Sequence, residues 1–287
     1  MPYYFTCTMK SKKVSASAKF DNRPIGIFDS GLGGLTVVAA MKKALPNENI
    51  IYLGDTARVP YGDKSPANII RFGIEDASFL VSKGVKLIVV ACNTVSAIAL
   101  QEIRAKFADV PVIGVLEAGV SACLKAKPRS VAVIGTRATA SSDSYRRGIH
   151  AVDHGISIRT IACPLFVPIV EEGLADNEIS RLTIEFYLKP LKKELPDMLL
   201  LACTHYPLLK KSLQNFLSKK VRIVDSAEAC AKFAEEYLKK NSLSASKSST
   251  GTERFYVTDM PDSFFKQAKK FLGRDLEHFQ KVSISEN

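Results

Sequence analysis

The sequence predicts an α/β protein with a mostly parallel sheet covered by helices on both faces. Two observations carry this. Short runs rich in Ile, Val and Leu alternate with longer segments of helical periodicity along the 287 residues, and such alternation produces parallel strands joined by crossover helices. Polar residues also gather at the carboxyl ends of four runs, as Asp29-Ser30, Gly54-Asp55-Thr56, Cys92-Asn93-Thr94 and Cys203-Thr204-His205. That edge is where open parallel sheets bind ligands.

Taken in order, residues 1–23 are Ser- and Lys-rich and lack a continuous apolar core. They read as an N-terminal extension, disordered or loosely docked, with Met9 an alternative start, and not as a secretory signal. Strands are expected at Ile25–Phe28, Ile50–Leu53, Leu87–Val90, Val112–Val115, Val131–Ile134, Ile156–Ile161, Met198–Leu201 and Val221–Val224. Between them, Leu35–Leu45, Ala67–Val81, Val95–Phe107, Glu178–Lys192 and Ala227–Leu238 carry helical periodicity. Pro24, Pro46, Pro111, Pro128, Pro196 and Pro261 fall at element edges, where a missing amide donor costs least. The Ser/Thr-rich stretch Asn241 to Glu253 reads as a surface loop, followed by a strand at Arg254–Thr258 and an amphipathic helix at Ser263–Leu272.

Composition narrows the function. With 46% hydrophobic and 24% charged residues the chain suits a soluble globular protein, and its apolar runs stop well short of the roughly 18 residues of a membrane helix. No membrane association is expected, and the cytoplasm is the expected location. None of the six cysteines forms a CxxC pair, which removes support for a disulfide framework, a zinc site or a thioredoxin-like motif; no metal is expected. Cys7, Cys123, Cys163 and Cys230 read as small buried apolar residues. The net charge of +11 is spread over separated lysine pairs such as Lys42-Lys43 and Lys219-Lys220, and no nucleic-acid-binding signature accompanies it. No specific nucleic-acid partner is expected, although a positive field speeds encounter with a small dianion.

The stretch DSGLGGL, Asp29 to Leu35, looks at first like a dinucleotide fingerprint. Thr36 stands where the third glycine should be and the P-loop lysine is absent, so neither motif applies. What remains is a tight turn with amides able to hold an anion, with Asp29 and Ser30 on the rim. The loop GDTARVPYGDKS, Gly54 to Ser65, is long for a strand-to-helix connection, and its Pro60-Tyr61-Gly62 step would expose amide donors.

ACNT and ACTH form the stronger signal. Each puts a cysteine just past a buried strand and before a helix, where free amides and the helix dipole are expected to favour the thiolate. His205 stands two residues beyond Cys203, and Asp29 lies on a rim expected to face Cys92. Two thiols approaching a bound molecule from opposite sides could exchange a proton at carbon with inversion, one as thiolate base and one as thiol acid.

In order and spacing, IGIFDSGLGGLTV, YLGDTARVPYG, VVACNTVSA, GVLEAG, VIGTRATASSDSY, CPLFVPIVEEG, LLACTHYPLL and VDSAE closely resemble glutamate racemases of the aspartate/glutamate racemase family, from about Pro24 to the end. The resemblance implies a cofactor-independent isomerase that interconverts L- and D-glutamate and supplies D-glutamate for peptidoglycan and cell shape. It implies two pseudo-symmetric, doubly wound domains, 24–116 plus 226–287 and 117–225, with the active site in the cleft between them. Carried over by motif, Cys92 and Cys203 are the catalytic acid/bases, supported by Asp29 and His205. Ser30, Tyr61, Gly62, Asn93, Thr94, Thr204 and His205, with Asp29, contact substrate. Glu171 in FVPIVE matches a further supporting acid, with Glu172 beside it. The extension resembles those of members activated by a UDP-muramoyl peptide precursor. The sequence does not separate a monomer from a homodimer. Two other readings stay open: a racemase of aspartate or hydantoin on the same scaffold, and a non-catalytic amino-acid-binding protein whose cysteines merely pack.

Overall fold

A computed structural model describes residues 20–262, 264–276 and 279–284. The expected N-terminal extension lies outside them as far as residue 19, and Cys7 with it. Among the described residues ten strands form two sheets: β1 (Ile25–Asp29), β2 (Ile50–Gly54), β3 (Leu87–Val90), β4 (Val112–Gly114), β5 (Ser130–Gly135), β6 (Ser157–Ala162), β7 (Met198–Ala202), β8 (Arg222–Asp225), β9 (Glu253–Val257) and β10 (Phe279–Lys281). The first sheet runs β10-β9-β2-β1-β3-β4 and the second β6-β5-β7-β8, and every pairing is parallel.

The two orders repeat one pattern. Within each half, the second strand lies outside the first, the third on its other side and the fourth beyond that, so β3 and β7 occupy equivalent inner places. The segments carrying Cys92 and Cys203 thus leave equivalent strands by the same edge. The α/β class and the two doubly wound halves are as the sequence predicts.

Strand β3 shows why its sequence is uninterrupted. Side chains alternate across a sheet: Leu87 and Val89 enter a core shared by both halves, while Ile88 and Val90 enter a second cluster with Ile69, Phe72 and Leu80. Burying each such side chain contributes about 1.5–3 kcal/mol, and a strand covered on both faces has no polar side to write. Strand β7 does the same, with Leu199 and Leu201 in the shared core and Met198 and Leu200 in a third cluster. The shared core is closed by helices Leu35–Ala44 and Ser226–Lys240, through Val38, Met41, Ala231 and Ala234 among others. Helix Pro66–Ser82 begins as its sequence says: the Ser65 side chain accepts from the Asn68 amide at 3.4 Å and Pro66 opens the first turn, where its missing donor is harmless.

Three features differ from expectation. The helix expected at Val95–Phe107 starts two residues early and is broken at Ala99 (φ −115°, ψ −2°) into Asn93–Ile98 and Leu100–Lys106. Both pieces lean on helix Pro66–Ser82 at Gly73, where an added Cβ would stand 2.9 Å from Val95 and 3.2 Å from Ile103. The segment expected as one helix to Lys192 is α-helical for Glu178–Leu188 and turns 3₁₀ at Lys189–Lys193, because Pro190 cannot donate to the ladder. Strand β10 carries no run long enough to announce itself and exists by pairing with β9.

Candidate active site

The carboxyl ends of β1, β2, β3, β5 and β7 converge on one small cavity. Ser30 comes from the turn after β1, Tyr61 and Gly62 from the short 3₁₀ helix Tyr61–Asp63 after β2, and Cys92, Asn93 and Thr94 from the start of the helix after β3. Cys203, Thr204 and His205 follow β7, and Glu171 ends the helix Phe166–Glu171; all line this cavity. Asp29 is the exception, fully buried beneath the cavity wall. A wider groove between Asp176–Glu185 and Lys211–Phe216 mixes carboxylates with lysines and holds neither thiol.

Around Cys203 the side chains form a chain of polar contacts. His205 Nδ1 lies 3.9 Å from Cys203 Sγ, and Nε2 lies 2.9 Å from Glu171 Oε1. Burial pulls the imidazole pKa down, but the bonds to Cys203 and Glu171 outweigh it and hold it up at about 10. His205 is therefore an imidazolium at neutral pH, a proton carrier beside the sulfur. The same geometry selects Glu171, which bonds the ring, over its neighbour Glu172.

Cys92 sits differently. Its thiol is 3.6 Å from Ser30 Oγ. The helix that follows was expected to favour the thiolate, yet burial and then the nearby Asp29 carboxylate push the thiol up to about 12. The helix dipole loses because the helix has six residues and desolvation of a buried charge is the larger effect.

Asp29 lies near enough for its charge to disfavour a Cys92 thiolate, and its hydrogen bonds run to the β1 turn and to Thr204. Its Oδ2 accepts from the amides of Gly31 (3.1 Å) and Gly34 (2.9 Å), and its Oδ1 from Thr204 Oγ1 (3.4 Å). Burial raises its pKa while the positive His205 opposes that. Asp29 thus ties the β1 turn to the β7 segment across the cleft floor. Tyr52, buried in β2, donates its hydroxyl to the Gly31 carbonyl and braces the same turn.

The Tyr61 hydroxyl donates to Asp55 and to Asp76 Oδ2 (3.2 Å). Burial and those carboxylates hold the phenol protonated. Thr94 Oγ1 is within 3.0 Å of Thr136 and 3.2 Å of Thr139, linking the two halves. Asn93 accepts from the Tyr145 hydroxyl at 2.6 Å through Oδ1, while its Nδ2 is buried with no partner. A buried orphan donor is costly, and here it belongs to a residue lining the cavity.

Thr136 and Val167 also line the cavity and were not read as site residues. Both follow the fold and not a local pattern, although Thr136 opens the TRATASSDSY stretch. The glycines of DSGLGG, read as turn residues, are there for space. A Cβ on Gly33 would lie 2.3 Å from Thr204 Oγ1 and 2.6 Å from His205 Nδ1, and one on Gly34 would lie 2.4 Å from Asp29 Cβ.

Among the described residues, no group of three or more His, Cys, Asp or Glu stands where it could hold a metal ion, and no helix is long and apolar enough to cross a membrane.

Comparison with known proteins gives the class of this fold and site. Residues 25–234 match the family model described as Asp/Glu/Hydantoin racemase, and the enzyme is an isomerase, an amino-acid racemase. Glutamate racemase of Geobacter metallireducens is 45% identical over 263 residues, 91% of this chain and 97% of that protein. The structure of glutamate racemase from Francisella tularensis in complex with D-glutamate matches with a TM-score of 0.87 at 40% identity, covering 92% of this chain and 98% of that one. That of Escherichia coli glutamate racemase, in complex with L-glutamate and activator UDP-MurNAc-ala, matches with a TM-score of 0.75 at 28% identity, covering 92% and 100%. The chain belongs to the Asp/Glu/Hydantoin racemase family.

Proposed function

We propose that this enzyme interconverts L- and D-glutamate by a two-base reaction in which Cys92 and Cys203 exchange the roles of acid and base. The observation that supports it is the placement of two thiols after equivalent strands β3 and β7, both lining one cavity. The thiolate on one side removes the Cα proton and the thiol on the other delivers one to the opposite face, so configuration inverts. In one direction Cys92, its thiol held protonated by burial, serves as the acid, and Cys203, beside the His205 imidazolium, takes the Cα proton as the base; in the other direction the roles exchange. Glu171 holds the ring and its charge. Asp29, through Thr204 and the turn amides, fixes the floor.

Glutamate is the substrate that the identity to glutamate racemases supports, and its carboxylates suit the amides of the Tyr61-Gly62 turn and the Asn93 and Thr94 side chains. Ser30 and Thr204 add hydroxyl donors on the two sides. We assign the reaction to the cytoplasm, supplying D-glutamate for peptidoglycan, without a cofactor. We further place the domain crossings near residues 116 and 225, giving 24–116 plus 226–287 and 117–225 as the two domains. The test is optical rotation of L-glutamate and of L-aspartate incubated with the protein, with no pyridoxal phosphate and with a UDP-muramoyl peptide in a parallel arm. Glutamate should lose its rotation and aspartate should keep most of it. Faster loss with aspartate, or none with glutamate in either arm, would overturn the assignment.

A further inference from the structure

Tyr145 belongs to the helix Ser144–His150, in the half of the molecule opposite Asn93. Its ring is buried, packed close to Gly119 and Leu200, and its hydroxyl donates to Asn93 Oδ1 at 2.6 Å. A carboxamide has two ends, an acceptor and a donor pair, and which end faces the cavity decides what it recognises. Burial holds the phenol protonated, so its O–H needs an acceptor. Only the Asn93 carbonyl supplies one among the described residues. Satisfying it turns Nδ2 the other way, where it is buried and unpartnered in a residue that lines the cavity.

We propose that Tyr145 is a positioning residue: by taking Oδ1 it locks the Asn93 amide with Nδ2 toward the cleft, as a donor for a carboxylate oxygen of the substrate. This rests on the glutamate racemase reading above. Without the phenol hydroxyl both orientations of the amide would be open to Asn93, and one presents an oxygen to an anion. Tyr145 touches no reacting atom, so its loss acts on binding and not on the proton transfers.

The test is steady-state kinetics in both directions, with the Kd of D-glutamate by calorimetry, for wild type, Tyr145→Phe, Asn93→Ala and the double variant. Phenylalanine keeps the ring, so the fold should persist. KM and Kd should rise roughly tenfold, the scale of one hydrogen bond to a charged group, with kcat changed by no more than about twofold. On the Asn93→Ala background, Tyr145→Phe should add nothing. A purely structural role would lower the thermal midpoint and cut kcat equally in both backgrounds, and that result, or an unchanged KM in Tyr145→Phe, would overturn the proposal. Should Tyr145→Phe fail to fold, Asn93→Asp decides: it keeps an acceptor for Tyr145 but turns an oxygen toward the cleft, and must bind glutamate more weakly than Asn93→Ala. Equal or tighter binding refutes the orientation. If wild type itself leaves glutamate unchanged, the failure lies with the substrate assignment and not with Tyr145.

Discussion

At the residue scale the two cysteines are alike in sequence and unlike in setting. Cys92 is a buried thiol with a serine beside it and a carboxylate behind, whereas Cys203 has a histidine whose charge is kept by Glu171. The His205 pKa lies above its usual 6.5, at about 10, so its contribution to stability is fully present below pH about 6.5 and is lost as pH rises through about 10. The thermal midpoint of wild type should therefore exceed that of His205→Gln at neutral pH, and the gap should close as pH passes about 10. A gap that widens with pH would contradict the imidazolium assignment. Much of this shell was legible in short motifs, because Cys, His and Asp at a strand end are unusual where a hydrophobic run stops. The contacts of Asp29 were not, since nothing local says that its carboxylate turns inward to two amides and a threonine 175 residues away.

At the scale of elements, the turn after β1 and the segment after β7 meet so closely that a side chain does not fit between them. The ideal Cβ at Gly33 lies 2.3 Å from Thr204 Oγ1, under the limit at which neighbours must shift. Gly33→Ala should cost about 1–3 kcal/mol in stability by overpacking and reduce turnover more than that loss explains, because the displaced atoms belong to Thr204 and His205. Gly84→Ala is the control: its φ of +70° strains the backbone, yet nothing stands within 4 Å of the new methyl, so kcat/KM should hold while the midpoint falls. Equal activity losses in both would remove the steric argument. The sequence marked this turn as glycine-rich but could not say why, since the reason is a neighbour from the other half. The elements themselves were readable where period and length agreed, as in β3 and helix Ser226–Lys240. They were less so at Ala99 and β10, where a packing partner decides.

At the scale of the whole molecule, the repeated strand order is what the proposed two-thiol mechanism rests on. A duplicated β-order brings the third strand of each half to equivalent inner places, and ACNT and ACTH travel with those strands. The repeat was visible as two similar cysteine segments about a hundred residues apart. Thr136, Val167 and Tyr145 were not visible, because they reach the site only once the second sheet is placed against the first. The central claim is that two thiols, not one, handle the Cα proton, and the most direct measurement is the isotope content of glutamate at early times in deuterated water, for wild type, Cys92→Ser and Cys203→Ser. Newly formed enantiomer should carry solvent deuterium at Cα while unconverted substrate keeps its hydrogen, from either direction, and each variant should stay folded while losing about a hundred- to ten-thousand-fold in rate. Product that retains the substrate's own hydrogen, or full activity in either variant, would contradict the account.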